Sequence, residues 1–239
     1  MQKMTIRIKN LGLGLVAGLI VISLIAAPAV SALATQSNTS QAAKLQLIIN
    51  RGNNEISRRL SKLNGLTAKV NSAAKLTAGD KATLSQAVTD QINSLTGLKT
   101  KLDADTDVAT ARTDAQSIIS DYRVYVLVVP KVYLVRTADD QQVAEGKLSD
   151  LATKLQSRLA SVKAASVLQA ALSDMTSKVS TAQGISSSVE SSVIGLQPSD
   201  YNSNHSTLSG YRDQLKTAQN DLQGAVSDAK TIITGLKTR

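Results

Sequence analysis

The stretch LQAALSDMTSKVSTAQGISSSVESSVIGL, residues Leu168 to Leu196, decides the fold. Leu168, Leu172, Met175, Val179, Ala182, Ser186, Val189, Val193 and Leu196 follow one another in strict steps of four and three. An average repeat of about 3.5 residues puts a narrow seam on one side of a helix, and that seam needs a partner helix with the same repeat. The next segment supplies one through Tyr201, Asn204, Leu208, Tyr211, Leu215, Ala218, Leu222, Ala225, Ala229, Ile232 and Leu236. Near the start of the chain the pattern returns as Leu45, Ile49, Ile56, Leu63, Leu66 and Val70, with Gly52 and Arg59 as weak points, and then as Leu84, Val88, Leu95, Leu98 and Leu102.

Cap chemistry divides this pattern into helices. Thr77-Ala-Gly-Asp80 offers a side-chain oxygen to free amides and an acid three residues on, so a helix begins at Ala78. Gln197-Pro198-Ser199-Asp200 is a stop followed by a new cap, and Asp103 to Asp107 is a turn rich in acceptors. Pro130 ends one helix and is tolerated in the first turn of the next. Six helices are expected at about 40–75, 78–103, 106–129, 131–164, 167–196 and 199–237, with the turn near Ala164 marked by neither Gly nor Pro. The expected fold is all-α, an elongated antiparallel helical bundle of coiled-coil type. If the third and fourth helices are collinear across Pro130, they form a kinked helix shared by two three-helix bundles, 35–130 and 131–239. A sharp fold at Pro130 would instead pack all six side by side.

One segment breaks the habits of the chain. DYRVYVLVVPKVYLVR, Asp121 to Arg136, holds three of the five Tyr and six Val in a protein without Phe, Trp or Cys. The apolar run from Val124 to Val135 is too short to cross a bilayer and carries Lys131. Its β-branched content admits a strand, but a lone strand among helices would leave its backbone groups without partners. It reads as a junction, with Tyr122, Tyr125, Leu127, Val129, Pro130 and Tyr133 forming either its core or, if exposed, a patch for a partner.

The first 34 residues read as an export signal. Lys3, Arg7 and Lys9 precede an uncharged apolar core, Leu11 to Ala27, and Ala32-Leu33-Ala34 supplies small residues for cleavage after Ala34. An uncleaved membrane anchor is the alternative. Either way the rest of the chain is expected outside the cytoplasm, secreted or at the cell surface. Without the leader's three basic residues, 24 Lys plus Arg stand against 18 acids. Between Ser40 and Lys75 seven basic residues face Glu55 alone, so the whole surplus lies in the first helix. Lys44, Arg51 and Arg58 are spaced by seven along one flank of its seam, Lys62 and Lys69 lie on the other, and Arg59 sits between them.

Several motifs are similar to a family of uncharacterised exported helical proteins of small-genome, host-dependent bacteria. They are RGNNEISRRLSKLN at Arg51 to Asn64, DKATL at Asp80 to Leu84, LDADTD at Leu102 to Asp107, DYRVYVLVVPK at Asp121 to Lys131, LSDM at Leu172 to Met175 and SDAKTIITGLK at Ser227 to Lys237. The resemblance spans most of the chain after the leader. It implies an all-α fold and export, and it implies no activity.

Catalysis is poorly supplied. His205 is the only His and no Cys exists, so a nucleophile–base pair or a soft metal site lacks its second group. Asp103, Asp105 and Asp107, with Asp114 at the twelfth place, imitate the opening of a calcium loop. Val108 stands where that loop needs Gly, and Asp114 is shorter than its bidentate Glu. Capping by Asp105 or Thr106 explains the same residues. No catalytic residue, metal or cofactor is therefore expected. The basic face of the first helix is the better lead: Lys44, Arg51, Arg58, Arg59, Lys62 and Lys69 would attract anionic polymers or lipid head groups. No aromatic residue interleaves them, which argues against specific nucleic-acid recognition. The functional expectation is an exported, non-catalytic surface or envelope interaction module whose partner, a protein, an envelope polymer or a second copy of the chain, is unspecified. A lipid-surface protein of apolipoprotein type is the alternative.

Overall fold

A computed structural model describes residues 29–162 and 166–238. Among the described residues the protein is all-α, and no strand occurs. The leader core, Leu11 to Ala27, and most of the turn near Ala164 lie outside those residues. Six long helices are α1 (Ala29–Ser72), α2 (Ala78–Asp103), α3 (Val108–Ser120), α4 (Val129–Ser161), α5 (Ser166–Ile194) and α7 (Thr207–Lys237), with a short α6 at Pro198–Ser203. No described helix is long and apolar enough to cross a membrane. The helical bundle is the unit Gln41–Arg239.

The four-three series become the core. Every member from Leu168 to Val193 is buried, Ser186 included. On α7, Leu208, Leu215, Ala218, Leu222, Ala225, Ala229 and Ile232 face inward. The two weak points of the first seam are filled. Gly52 leaves room for Leu102, whose Cδ2 lies 2.4 Å from where a Cβ on Gly52 would stand. Arg59 is only 7% exposed, its guanidinium bonded to Glu55 and 5.3 Å from the ring centroid of Tyr125.

Side-chain contacts fix the directions. Asn53 donates to Asp103 and Lys81 Nζ to Asn71 O, so α1 and α2 are antiparallel. Glu145 meets Ser186 and Gln142 meets Glu190, while Lys178 meets Asp228 and Gly235 faces Leu168, so α5 is antiparallel to both α4 and α7. Along α1 and just past its end the pairs Gly52–Ile118, Arg59–Tyr125, Lys69–Tyr133 and Lys75–Asp140 advance in step. The chain from α3 into α4 therefore follows α1 in one direction.

That course is interrupted at 121–123, not at Pro130 as the sequence suggests. Helix α3 stops at Ser120, and Arg123 takes the left-handed conformation at φ 43°. Such a backbone costs a non-glycine residue about 1–3 kcal/mol and needs outside support. Asn202 of α6 supplies it, accepting from Arg123 Nε at 2.6 Å and donating to Ser120 O at 3.0 Å. Val124–Val128 then forms a π-turn that runs directly into α4. Pro130 has no N–H to give Val126, and the wider turn upstream accommodates its ring. The β-branched run is thus helical.

Two further boundaries differ. Asp107, rather than Asp105 or Thr106, caps α3, accepting from the amides of Ala109 and Thr110 at 2.9 Å. The last helix is divided because Asn204 Oδ1 accepts from Ser206 N at 3.0 Å, a local turn that competes with helix.

Lys131, the charge in the apolar run, is buried at 5% exposure. Its Nζ donates to Ile194 O at 3.1 Å and Leu196 O at 2.9 Å, closing the C-terminus of α5. Burial lowers its pKa, and the nearby Asp200 partly offsets this. Lys131→Met keeps the apolar stem and removes both bonds, so it is expected to cost about 1 kcal/mol, read by urea unfolding.

Two apolar clusters form the core. The first joins α1, α2, α3, the π-turn and the start of α4 with Val189, Val193, Leu208 and Leu215. The second is built by α4 from Leu148 onward, α5 and α7. Buried Asp139, Gln141, Glu145 and Ser186 lie along the border between them.

Candidate functional site

The parallel course of α1 and α4 opens a groove between them. Its volume is about 630 Å³, and Arg58, Lys62, Gly65 and Lys69 of α1 face Tyr125 and Tyr133 across it. Gly65 has no neighbour within 4 Å of where its Cβ would be, so the floor is open there. Two groups of residues singled out in the sequence on separate grounds, basic residues and tyrosines, thus line one concavity.

The cations are held unevenly. Arg58 lies 3.2 Å from Glu55 and is 71% exposed, so this pair leaves much of its charge to solvent. Lys69 Nζ donates to the Tyr133 hydroxyl at 2.6 Å. The same nitrogen is 5.3 Å from the ring centroid, which places it at the hydroxyl rim rather than over the ring face. That bond, with the charges of Lys69, Lys62 and Arg136, lowers the pKa of the Tyr133 hydroxyl. The tyrosine thus registers a positive field in the groove. Tyr125 is 45% and Tyr133 38% exposed, and both present ring surface as well as polar edges.

The remaining predicted residues separate. Arg59 is in the seam, neutralised by Glu55, and presents no charge to the groove. Arg51 lines a different, more apolar groove with Ile48, Arg112 and Ile119, and Lys44 is exposed further up α1. Leu127 is core, while Val129 and Pro130 are half-buried. The Tyr122 hydroxyl donates to Ser94 O at 3.1 Å and ties the end of α3 to α2. Of the junction patch, only Tyr125 and Tyr133 line the groove.

Three of the four acids of the calcium-like turn have other partners, while Asp105 keeps a buried Oδ2 without one. Asp107 caps α3, Asp114 pairs with Lys101 at 2.8 Å and Asp103 pairs with Lys99 at 2.7 Å. His205 is exposed in the turn before α7, 5.1 Å from the Tyr201 ring.

A second acidic group arises only in three dimensions. Asp80 at the start of α2, Asp139 of α4 and Glu190 of α5 each place a carboxylate oxygen within 4.8 Å of the others. Asp139 is 1% exposed, and burial raises its pKa to about 6, helped by the charges of Asp80 and Glu190 and opposed by the Thr77 amide. No sequence motif joins these residues, because each comes from a different helix with ordinary helical surroundings.

No protein-family model, curated protein or solved structure matches the chain.

Proposed function

We propose that the chain is an exported, non-catalytic helical module that holds anionic polymers at a cell surface or envelope through the α1–α4 groove. The observation that carries this reading is the meeting of Arg58, Lys62 and Lys69 with Tyr125 and Tyr133 in one open groove. Six Lys and Arg stand in α1 against Glu55 alone, and three of them line this groove. A flexible polyanion would gain from several exposed cations at once, while the tyrosines give it ring faces to lie against and hydroxyls to bond. The apolar stripes of the helices are engaged in the two core clusters, which favours a folded binder over a protein that opens onto lipid.

The test is binding of fluorescent dextran sulfate, with neutral dextran as control, to the protein and to the Arg58→Glu/Lys62→Glu variant. Both positions are exposed, so the variant is expected to keep its thermal stability. The expected result is a loss of about tenfold or more in affinity, with weaker binding at high salt. Equal binding by variant and parent would discard the groove. Flotation with anionic vesicles but no retention of dextran sulfate would favour the lipid-surface reading instead.

A further inference from the structure

We infer that Asp80, Asp139 and Glu190 form a calcium site that clamps the start of α2 to α4 and α5. The three carboxylates come from three helices, and one oxygen of each lies within 4.8 Å of the others. Asp80 is 8% exposed, Asp139 is 1% exposed and Glu190 is half-buried. Like charges brought this close out of water repel strongly unless a cation or a proton joins them.

The protein's own donors leave the cluster incomplete. Asp80 Oδ2 accepts from Thr77 Oγ1 at 2.5 Å, Asp139 Oδ2 accepts from Thr77 N at 3.0 Å and Glu190 Oε2 accepts from Gln142 Nε2 at 2.6 Å. Asp139 Oδ1 is buried and has no hydrogen-bond partner. Asp105 Oδ2 and Asp114 Oδ2 are orphaned as well, but they have the Lys101 ammonium beside them; Asp139 has no such cation, so a bound cation or a proton shared with Asp80 must take its place. No described Lys or Arg forms an ion pair with the three acids. Lys81, next to Asp80 in the chain, donates to Asn71 O at 3.2 Å, and Lys75 and Arg136 both pair with Asp140, at 3.5 and 3.9 Å. The first turn of α2 contributes its partial positive charge, which offsets only a fraction of three carboxylates.

The donor set selects the cation. All three ligands are hard oxygens, with no imidazole or thiolate, which suits calcium or magnesium rather than zinc or copper. Calcium binds oxygen at about 2.3–2.6 Å in shells of flexible geometry, so carboxylate oxygens from three helices that lie within 4.8 Å of one another can share it with water. Magnesium demands near-ideal octahedral geometry at about 2.0–2.1 Å and gives up its water reluctantly, which three carboxylates fixed on three helices serve less well. Glu190, at the rim, gives the ion a way in, and water completes its shell.

The experiment is thermal unfolding of the full chain at pH 7.5, followed by circular dichroism, in EDTA, in 5 mM calcium and in 5 mM magnesium. Calcium is expected to raise the Tm by about 4–8 °C and magnesium by less than half of that. Asp139→Asn is expected to fold, with a Tm in EDTA at or above that of the parent, and to show no calcium shift. Glu190→Gln, changed at the rim, provides a second variant that should also lose the shift. A parent Tm that calcium leaves unmoved would overturn the site. A shift of equal size in both variants would do so as well, because it would place the ion elsewhere. A magnesium shift as large as that of calcium would overturn the choice of cation.

Discussion

Leu102→Ala is expected to lower the unfolding free energy by about 2–5 kcal/mol, because it empties a fully enclosed site that its neighbours cannot refill. Leu102 is 0% exposed and stands where three helices meet, against Gly52 of α1 and Ile118 of α3. Gly52 is a glycine for this reason: a methyl there would meet Leu102 Cδ2 at 2.4 Å. Gly52→Ala alone is therefore expected to destabilise. Overpacking costs about 1–3 kcal/mol, against which alanine returns about 1 kcal/mol of helix propensity. In the double variant the added methyl enters the space that Leu102 vacates, so Gly52→Ala should become neutral or stabilising. Urea unfolding of the four proteins, followed by circular dichroism, measures the coupling. Strictly additive losses would show that Leu102 is not held on Gly52.

The same pair illustrates what the sequence makes legible. Helix seams could be read because burial repeats every three or four residues, and on α5 the written series and the buried series coincide from Leu168 to Val193. Gly52 and Arg59 were visible as irregularities, but their purpose was not. One accommodates a side chain of another helix and the other lies against a tyrosine far along the chain. The sequence places at Pro130 a break that falls at Arg123, for a related reason. A proline is visible in a single line of text, whereas the support for Arg123 comes from Asn202. The basic stripe and the tyrosine cluster were each legible by position and composition. Their convergence depends on α1 and α4 running parallel in one register, which only packing decides. The acid cluster had no local signal at all.

Stability is expected to rise on acidification from pH 7.5 to about 5 when calcium is absent, and Asp139 is the principal cause. Burial holds its folded pKa at about 6, above the ordinary 3.8, so the folded state binds the proton more tightly than the unfolded chain. A raised acid pKa means that the stabilising form is the protonated one. Its contribution is full below the unfolded value and is lost as pH rises through the folded value. Asp80 faces it from α2 and Glu190 from α5, and both add negative charge; the Thr77 amide is the opposing donor. Glu145, buried against Ser186, is shifted in the same direction by burial and reinforces the slope. Asp103 and Asp107 are lowered by their hydrogen bonds to Lys99 and to Thr110, so below about pH 4 they reverse the trend. Asp139→Asn removes the buried charge while keeping an acceptor for Thr77. In EDTA it should stabilise the protein at pH 7.5 by about 2 kcal/mol and flatten the rise towards pH 5. Urea midpoints at the two pH values decide it. A parent that is more stable at pH 7.5 than at pH 5 in EDTA, or a variant with the parent's slope, would remove Asp139 as the cause. Calcium should act in the opposite sense, raising stability most at pH 7.5, because it binds the ionised carboxylates that the proton would otherwise neutralise.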